Sequence, residues 1–197
     1  MNMTLGVMNI FRRFVYSTRA VAAVEFAMVM PVLLLLFLGS FDAGNAIVLY
    51  MKVRAATYAL GAITNQYGIG NAAISTSTMS TITSATSAIL SPYSNTPTVI
   101  VISQIKATTA TNATVSWSYT VNGAAFTQGA TYGLPSNFAQ NTCGGTYPCY
   151  LILASVSYRF TPMFGSFLTG PITLSDSIYT TPRVSTCVQY NSVPSSC

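Results

Sequence analysis

From Val21 to Phe41 the chain is uncharged apart from Glu25, and its densest apolar part is Val32-Leu-Leu-Leu-Leu-Phe-Leu38. The stretch is just long enough to cross a bilayer, which takes about 20 apolar residues. Pro31 would kink a helix in water, but inside a membrane neighbouring groups recover the lost backbone bond. Past Asp42 a helical spacing continues through Ile47, Val48, Tyr50, Met51, Arg54, Ala55, Tyr58 and Ile63, with Lys52 and Arg54 expected in solvent. A helix over residues 21–63 would be about 60 Å long, roughly twice the hydrocarbon thickness. Its outer half is amphipathic, so another part of the chain has to cover that face.

A turn is expected over Asn65 to Gly70. A Ser/Thr-rich segment then carries Ile74, Met79, Ile82, Ala85 and Ile89 at the spacing of one helical face, ended by Ser91-Pro92 and Asn95-Thr-Pro97. From Thr98 the period becomes two. Val99 to Lys106 and Thr114 to Val121 read as a hairpin around the polar Thr108–Asn112 stretch. Asn122 to Pro148 is a long Gly/Asn-rich excursion, where any binding specificity would reside. Tyr150 to Phe160 is the strongest strand candidate; Thr161-Pro-Met-Phe-Gly breaks it, and Ile172 to Thr180 is the last strand. Four successive strands and a covering helix predict an α+β chain: a long amino-terminal transmembrane and amphipathic helix packed on a small antiparallel sheet head. The expected divisions are a basic leader over residues 1–20, the helix over 21–63, and the head over 64–197.

Charge sharpens this picture. Charged residues make up 6% of the 197 positions, against roughly 25% in ordinary globular proteins. The net charge of +5 comes largely from Arg12, Arg13 and Arg19 before the apolar run and Lys52 and Arg54 after it. No basic face with interleaved aromatics emerges, so nucleic acid is not an expected partner. Positive residues beside a span stay cytoplasmic, which puts the amino end inside and the head outside. Histidine is absent and there are three carboxylates, Glu25, Asp42 and Asp176. That removes the commonest general base and metal ligand together, so no enzyme activity, metal or cofactor is expected. An extracytoplasmic enzyme using Ser, Lys or Cys chemistry is the remote alternative.

The four cysteines, Cys143, Cys149, Cys187 and Cys197, all lie in the last third. Outside the cytoplasm an even number reads as disulfides. Cys143 and Cys149 flank Gly-Gly-Thr-Tyr-Pro, a turn able to bring its ends together, so pairing them, and Cys187 with Cys197, is preferred among three connectivities. A zinc site, the rival, needs tighter paired spacing.

Glu25 is the most informative charge. A carboxylate near the hydrocarbon costs about 2.5 kcal/mol or more at the centre of a span and less towards the interface, and so marks a function by default. Cleavage between Ala20 and Val21 would create an α-amine at Val21 and make Glu25 the fifth mature residue, on the same helical face. Glu25 could pair with that amine or with a neighbour's, rewarding one axial register in a low-dielectric assembly.

This arrangement is that of type IV pilin-like proteins. Arg12-Arg13, the string Arg19-Ala-Val-Ala-Ala-Val-Glu-Phe-Ala27, Pro31, the Leu-rich run and Phe41-Asp-Ala-Gly-Asn-Ala-Ile-Val-Leu-Tyr50 resemble the TadE-like minor pilins of tight-adherence (Flp, type IVc) pili. The resemblance covers about Arg12 to Gly61, with a looser match in Val156-Ser-Tyr-Arg-Phe-Thr-Pro162 and near Arg183. It implies cleavage by a prepilin peptidase, with Ala20 before the cut in place of the usual glycine, and maps the family's Glu and its aromatic neighbour onto Glu25 and Phe26. The implied function is that of a minor pilin or pseudopilin acting in assembly, priming or tip formation of a Tad pilus, with surface adhesion a further expectation. Implied partners are other pilins through the helix, the prepilin peptidase, the inner-membrane assembly platform and membrane lipid. The implied location is the bacterial inner membrane and then the pilus. Two other readings stand beside it: an uncleaved membrane-anchored scaffold of a secretion machine, and a signal peptide cut after Gly44-Asn-Ala46.

Overall fold

The computed structural model describes residues 18–69, 73–93, 98–135, 138–191 and 197; the expected leader up to residue 17 lies outside them. Helix α1, Thr18–Thr64, is a single helix of 47 residues with Pro31 inside it. Above Asp42 it buries one face through Leu49, Val53, Ala56, Thr57, Leu60 and Thr64, the spacing of one helical side. The two threonines fit that apolar face because their hydroxyls donate to the carbonyls of Val53 (2.9 Å) and Leu60 (2.7 Å), leaving no orphan polar atom.

Helix α2, Thr76–Leu90, starts where the side chain of Ser75 accepts the Thr78 N–H. Its buried stripe is Met79, Ile82, Thr83, Thr86 and Leu90, with Ala85 and Ile89 half-buried, so the face is rotated from the expected one. Thr83 fills a core position by donating to the Met79 carbonyl at 3.0 Å. Ile74 precedes the helix and pairs with Tyr190 instead. Lys52, expected in solvent, is half-buried: its Nζ donates to the carbonyls of Ile89 (3.4 Å) and Ser91, at the negative end of α2, tying the two helices together.

The strands are β1 Thr98–Ala107, β2 Asn112–Val121, β3 Thr131–Gly133, β4 Cys149–Phe160 and β5 Ile172–Thr180. They form one antiparallel sheet in the order β3-β2-β1-β4-β5. The fold is thus α+β with the long helix on a sheet head, and β3 adds a strand to the four expected. At Gly61 α1 packs close to the sheet: an added Cβ would lie 3.4 Å from Ile178 and 3.6 Å from Thr180. Between α1, α2 and the sheet lie Leu49, Val53, Leu60, Met79, Ile82, Ile100, Ile102, Trp117, Ile152, Val156 and Phe160.

The carboxyl-terminal segment closes this core. Gln104 pairs with Trp117 and Ile105 with Val115, leaving Ser116 as the extra residue of a bulge. Beside it, the Val188 N–H donates to Gln104 Oε1 (2.6 Å) and Trp117 Nε1–H donates to the Val188 carbonyl (2.7 Å). Tyr190 stacks on Trp117 at 5.3 Å. The same segment holds the α1–α2 connection, through Ile74 N–H to Gln189 O and Asn191 N–H to Ile74 O, both 2.8 Å.

The excursion after β2 includes regular structure among its described residues. It contains β3 and the short helix α3, Phe138–Cys143, and it lays Leu134 and Ala139 over Ile105, Leu151 and Leu153 on the outer face of the sheet. The cysteines pair as Cys143–Cys149, which closes this cover, and Cys187–Cys197, which closes the tail. Helix α4, Ser166–Thr169, sits in the β4–β5 connection.

Candidate functional site: the two ends of the apolar helix

Ala20, Val21, Glu25 and Phe26 all lie on α1, and the Ala20–Val21 bond falls inside the helix. Val21 and Glu25, four positions apart, share a side of it. Glu25 and Phe26 are exposed, and among the described residues no donor meets the Glu25 carboxylate. From Val21 to Phe37 every side chain is exposed, so the head covers none of this part of the helix. The helix is long and apolar enough to cross a membrane. Ser40 keeps its hydroxyl within the helix by donating to Leu36 O (2.6 Å) and Phe37 O (3.0 Å).

At the far end of the run stands a second carboxylate with the opposite surroundings. Asp42 is buried and accepts three backbone N–H groups from the β4–α4 turn: Met163 to Oδ1 (3.0 Å), and Phe164 (2.9 Å) and Gly165 (2.6 Å) to Oδ2. Consecutive N–H groups converging on one acceptor form an anion nest, here filled by a side chain of the same molecule. Burial alone would raise the Asp42 carboxyl, but the three bonds, Gly165 foremost, outweigh it and hold it below its usual range. An added Cβ at Gly165 would come within 3.3 Å of Asp42 Oδ2, so a side chain there would crowd the lock. The Phe41 ring meets Phe164 edge-on at 5.9 Å beside it.

Above Asp42 the helix face turned away from the head keeps Ile47, Val48, Met51 and Tyr58 exposed. Arg54 lies over the Tyr58 ring at 5.7 Å, and its guanidinium is held more firmly protonated first by the Tyr58 hydroxyl and then by Asp176 across on β5. All three carboxylates thus lie on α1 or face it; among the described residues Asp42 is the one that accepts hydrogen bonds, and Glu25 is the exposed one. In sequence Asp42 reads as a boundary marker; its partners lie 121 to 123 positions away, beyond any local pattern.

No curated protein and no solved structure matches the chain. Residues 20–60 match the family model described as TadE-like protein, so the segment that carries both ends of this site is TadE-like and points to a protein associated with the Tad pilus.

Proposed function

We propose that the protein is a minor pilin or pseudopilin of a Tad pilus, anchored in the inner membrane by α1 and carried by that helix into the filament. The observation that carries this reading is the exposed apolar stripe of Ile47 (56% exposed), Val48, Met51 (60%) and Tyr58 on the side of α1 opposite the head. A plain anchor needs apolar surface within the bilayer alone. Here that surface continues for about 25 Å beyond Asp42, at ~1.5 Å per residue, and neighbouring helices of an assembly would cover it. Prepilin peptidase would cut between Ala20 and Val21 from the cytoplasmic side, and Glu25 would then meet the new amine of its own or a neighbouring chain and set the register. The assembly platform is the remaining partner. The disulfide-closed head would face the periplasm and then the medium, where its Ser/Thr-rich surface would serve contact or adhesion rather than catalysis.

One observation favours a second reading. The helix is unbroken across Ala20–Val21, so the peptidase would have to unwind a turn, whereas an uncleaved scaffold of the same machine would not. Terminal sequencing and intact mass of the protein recovered from membranes and filaments separate the two. A start at Val21 supports the pilin; a start at Met1 in both fractions removes its main support and leaves the permanent anchor.

A further inference from the structure

The β4–α4 turn lies at the end of the head nearest the apolar run, and Asp42 fixes it there. Val21 to Phe41 is 21 positions, about 30 Å of helix, which matches the hydrocarbon thickness and brings Phe41 to the outer interface of a bilayer that α1 crosses. Three backbone hydrogen bonds to the next residue therefore hold Met163, Phe164 and Gly165 at the same height. Besides the polar Thr161, the exposed side chains of this turn are apolar: Met163 is 75% exposed and Phe164 44%, next to Phe41 at 51%. Ile172, at the start of β5, adds a fourth exposed apolar group to this end of the head. No charged residue occurs from Phe160 to Pro171. The first charge above them, Arg159, is exposed on the outer face of β4.

We propose that Met163 and Phe164, with Phe41 and Ile172, form a second membrane contact that beds into the headgroup–acyl boundary of the outer leaflet and seats the head on the bilayer. Aromatic and large apolar side chains bed into the headgroup–acyl boundary, and a cation just above them, as Arg159 is in sequence, suits the anionic lipid headgroups. Continuity with the apolar run selects lipid over a protein partner: Phe41 is the last residue of the run, and Phe164 packs on its ring. Asp42 thereby acts as a spacer that sets the height and tilt of the head, leaving the stripe above it turned to the side. The proposal rests on the reading of α1 as membrane-spanning.

The test is photocrosslinking of the full-length chain in vesicles of phosphatidylethanolamine and phosphatidylglycerol. The photoreactive residue p-benzoylphenylalanine is placed in turn at Met163, at Leu35 within the run, and at Thr109 in the β1–β2 hairpin at the opposite end of the sheet. Mass spectrometry then identifies the adducts. Lipid adducts are expected at Leu35 and Met163, several-fold above the yield at Thr109. A lipid adduct at Leu35 with Met163 no higher than Thr109 would overturn the proposal while leaving the span intact. So would a Met163 adduct to a second copy of the chain in place of lipid. Absence of lipid adduct at Leu35 would instead overturn the spanning reading, and this contact with it.

Discussion

Glu25 and Asp42 sit on one helix and have opposite fates. Asp42 has three N–H donors, while among the described residues Glu25 has none. A charged group beside hydrocarbon is costly unless a partner compensates it, which is the ground on which we propose Glu25 as an assembly charge, whereas Asp42 is locked within the head. Replacing Glu25 with Ala should leave the thermal melt of the head unchanged and deplete the protein from purified filaments; normal incorporation would remove the register role. Asp42→Asn should loosen the turn, because one oxygen becomes a donor facing N–H groups. Amide exchange at Met163, Phe164 and Gly165 should speed up while β1 and β4 stay protected, and unchanged exchange would sink the lock. The lock is also pH-dependent. The folded protein binds the Asp42 proton less tightly than the unfolded chain, whose ordinary value is 3.8, so the stabilisation is complete above that value and is lost as pH falls through the lower folded value. Exchange at these three amides should accordingly rise in the wild type only below that range, and Asp42→Asn should be insensitive to the same titration.

Among the elements, those with a clean period were legible. The last strand occupies Ile172–Thr180 as expected, and the hairpin of β1 and β2 turns where the polar stretch lies. The face of α2 was not legible, because a pattern of apolar residues overlooks threonine: Thr83 and Thr86 are buried in it, and Thr83 satisfies its hydroxyl within the helix. The half-buried position of Lys52 is likewise illegible in sequence, since its partner carbonyls at the end of α2 carry no local signature. The excursion after β2 reads as loop because β3 is three residues long and its pairing with Asn112–Thr114 is decided across the sheet. Glycine gives a prediction at this scale. An alanine Cβ at position 123 would fall 2.5 Å from Val99 Cγ1, whereas at Gly61 it meets ordinary contacts of 3.4 Å and more. Gly123→Ala should cost on the order of 1–3 kcal/mol through overpacking, and Gly61→Ala should be neutral or gain up to about 1 kcal/mol of helix propensity. Denaturant melts of the two variants check this, and equal effects would contradict the packing described.

For the whole molecule, the tail is the closing element. Gln104 and Trp117 grip both backbone polar groups of Val188, and Cys187 next to it is buried and paired with Cys197. Replacing Cys187 and Cys197 with Ala should cost about 2–3 kcal/mol on the loop-entropy view. It should also red-shift the fluorescence of Trp117, the sole tryptophan, as the clamp opens. The same change at Cys143 and Cys149 loosens the outer cover and should leave that emission unchanged. A red shift from the second pair, or none from the first, would show that the tail is held otherwise.

Several features are encoded locally, by short-range periodicity and by the scarcity of charge. These are a helix too long and too apolar for water, one carboxylate at its mouth, a sheet-forming second half, and cysteine spacings that favour two local loops. Each follows from neighbours within a turn or a strand, where geometry is nearly invariant. Long-range packing sets which carboxylate is satisfied, which face of α2 is core, where Val188 is clamped and where the β4–α4 turn stands relative to the apolar run. Those outcomes depend on groups such as Asp42 and Gly165, or Gln104 and Val188, that lie some 80 to 120 positions apart and meet only once the sheet has closed on the helix.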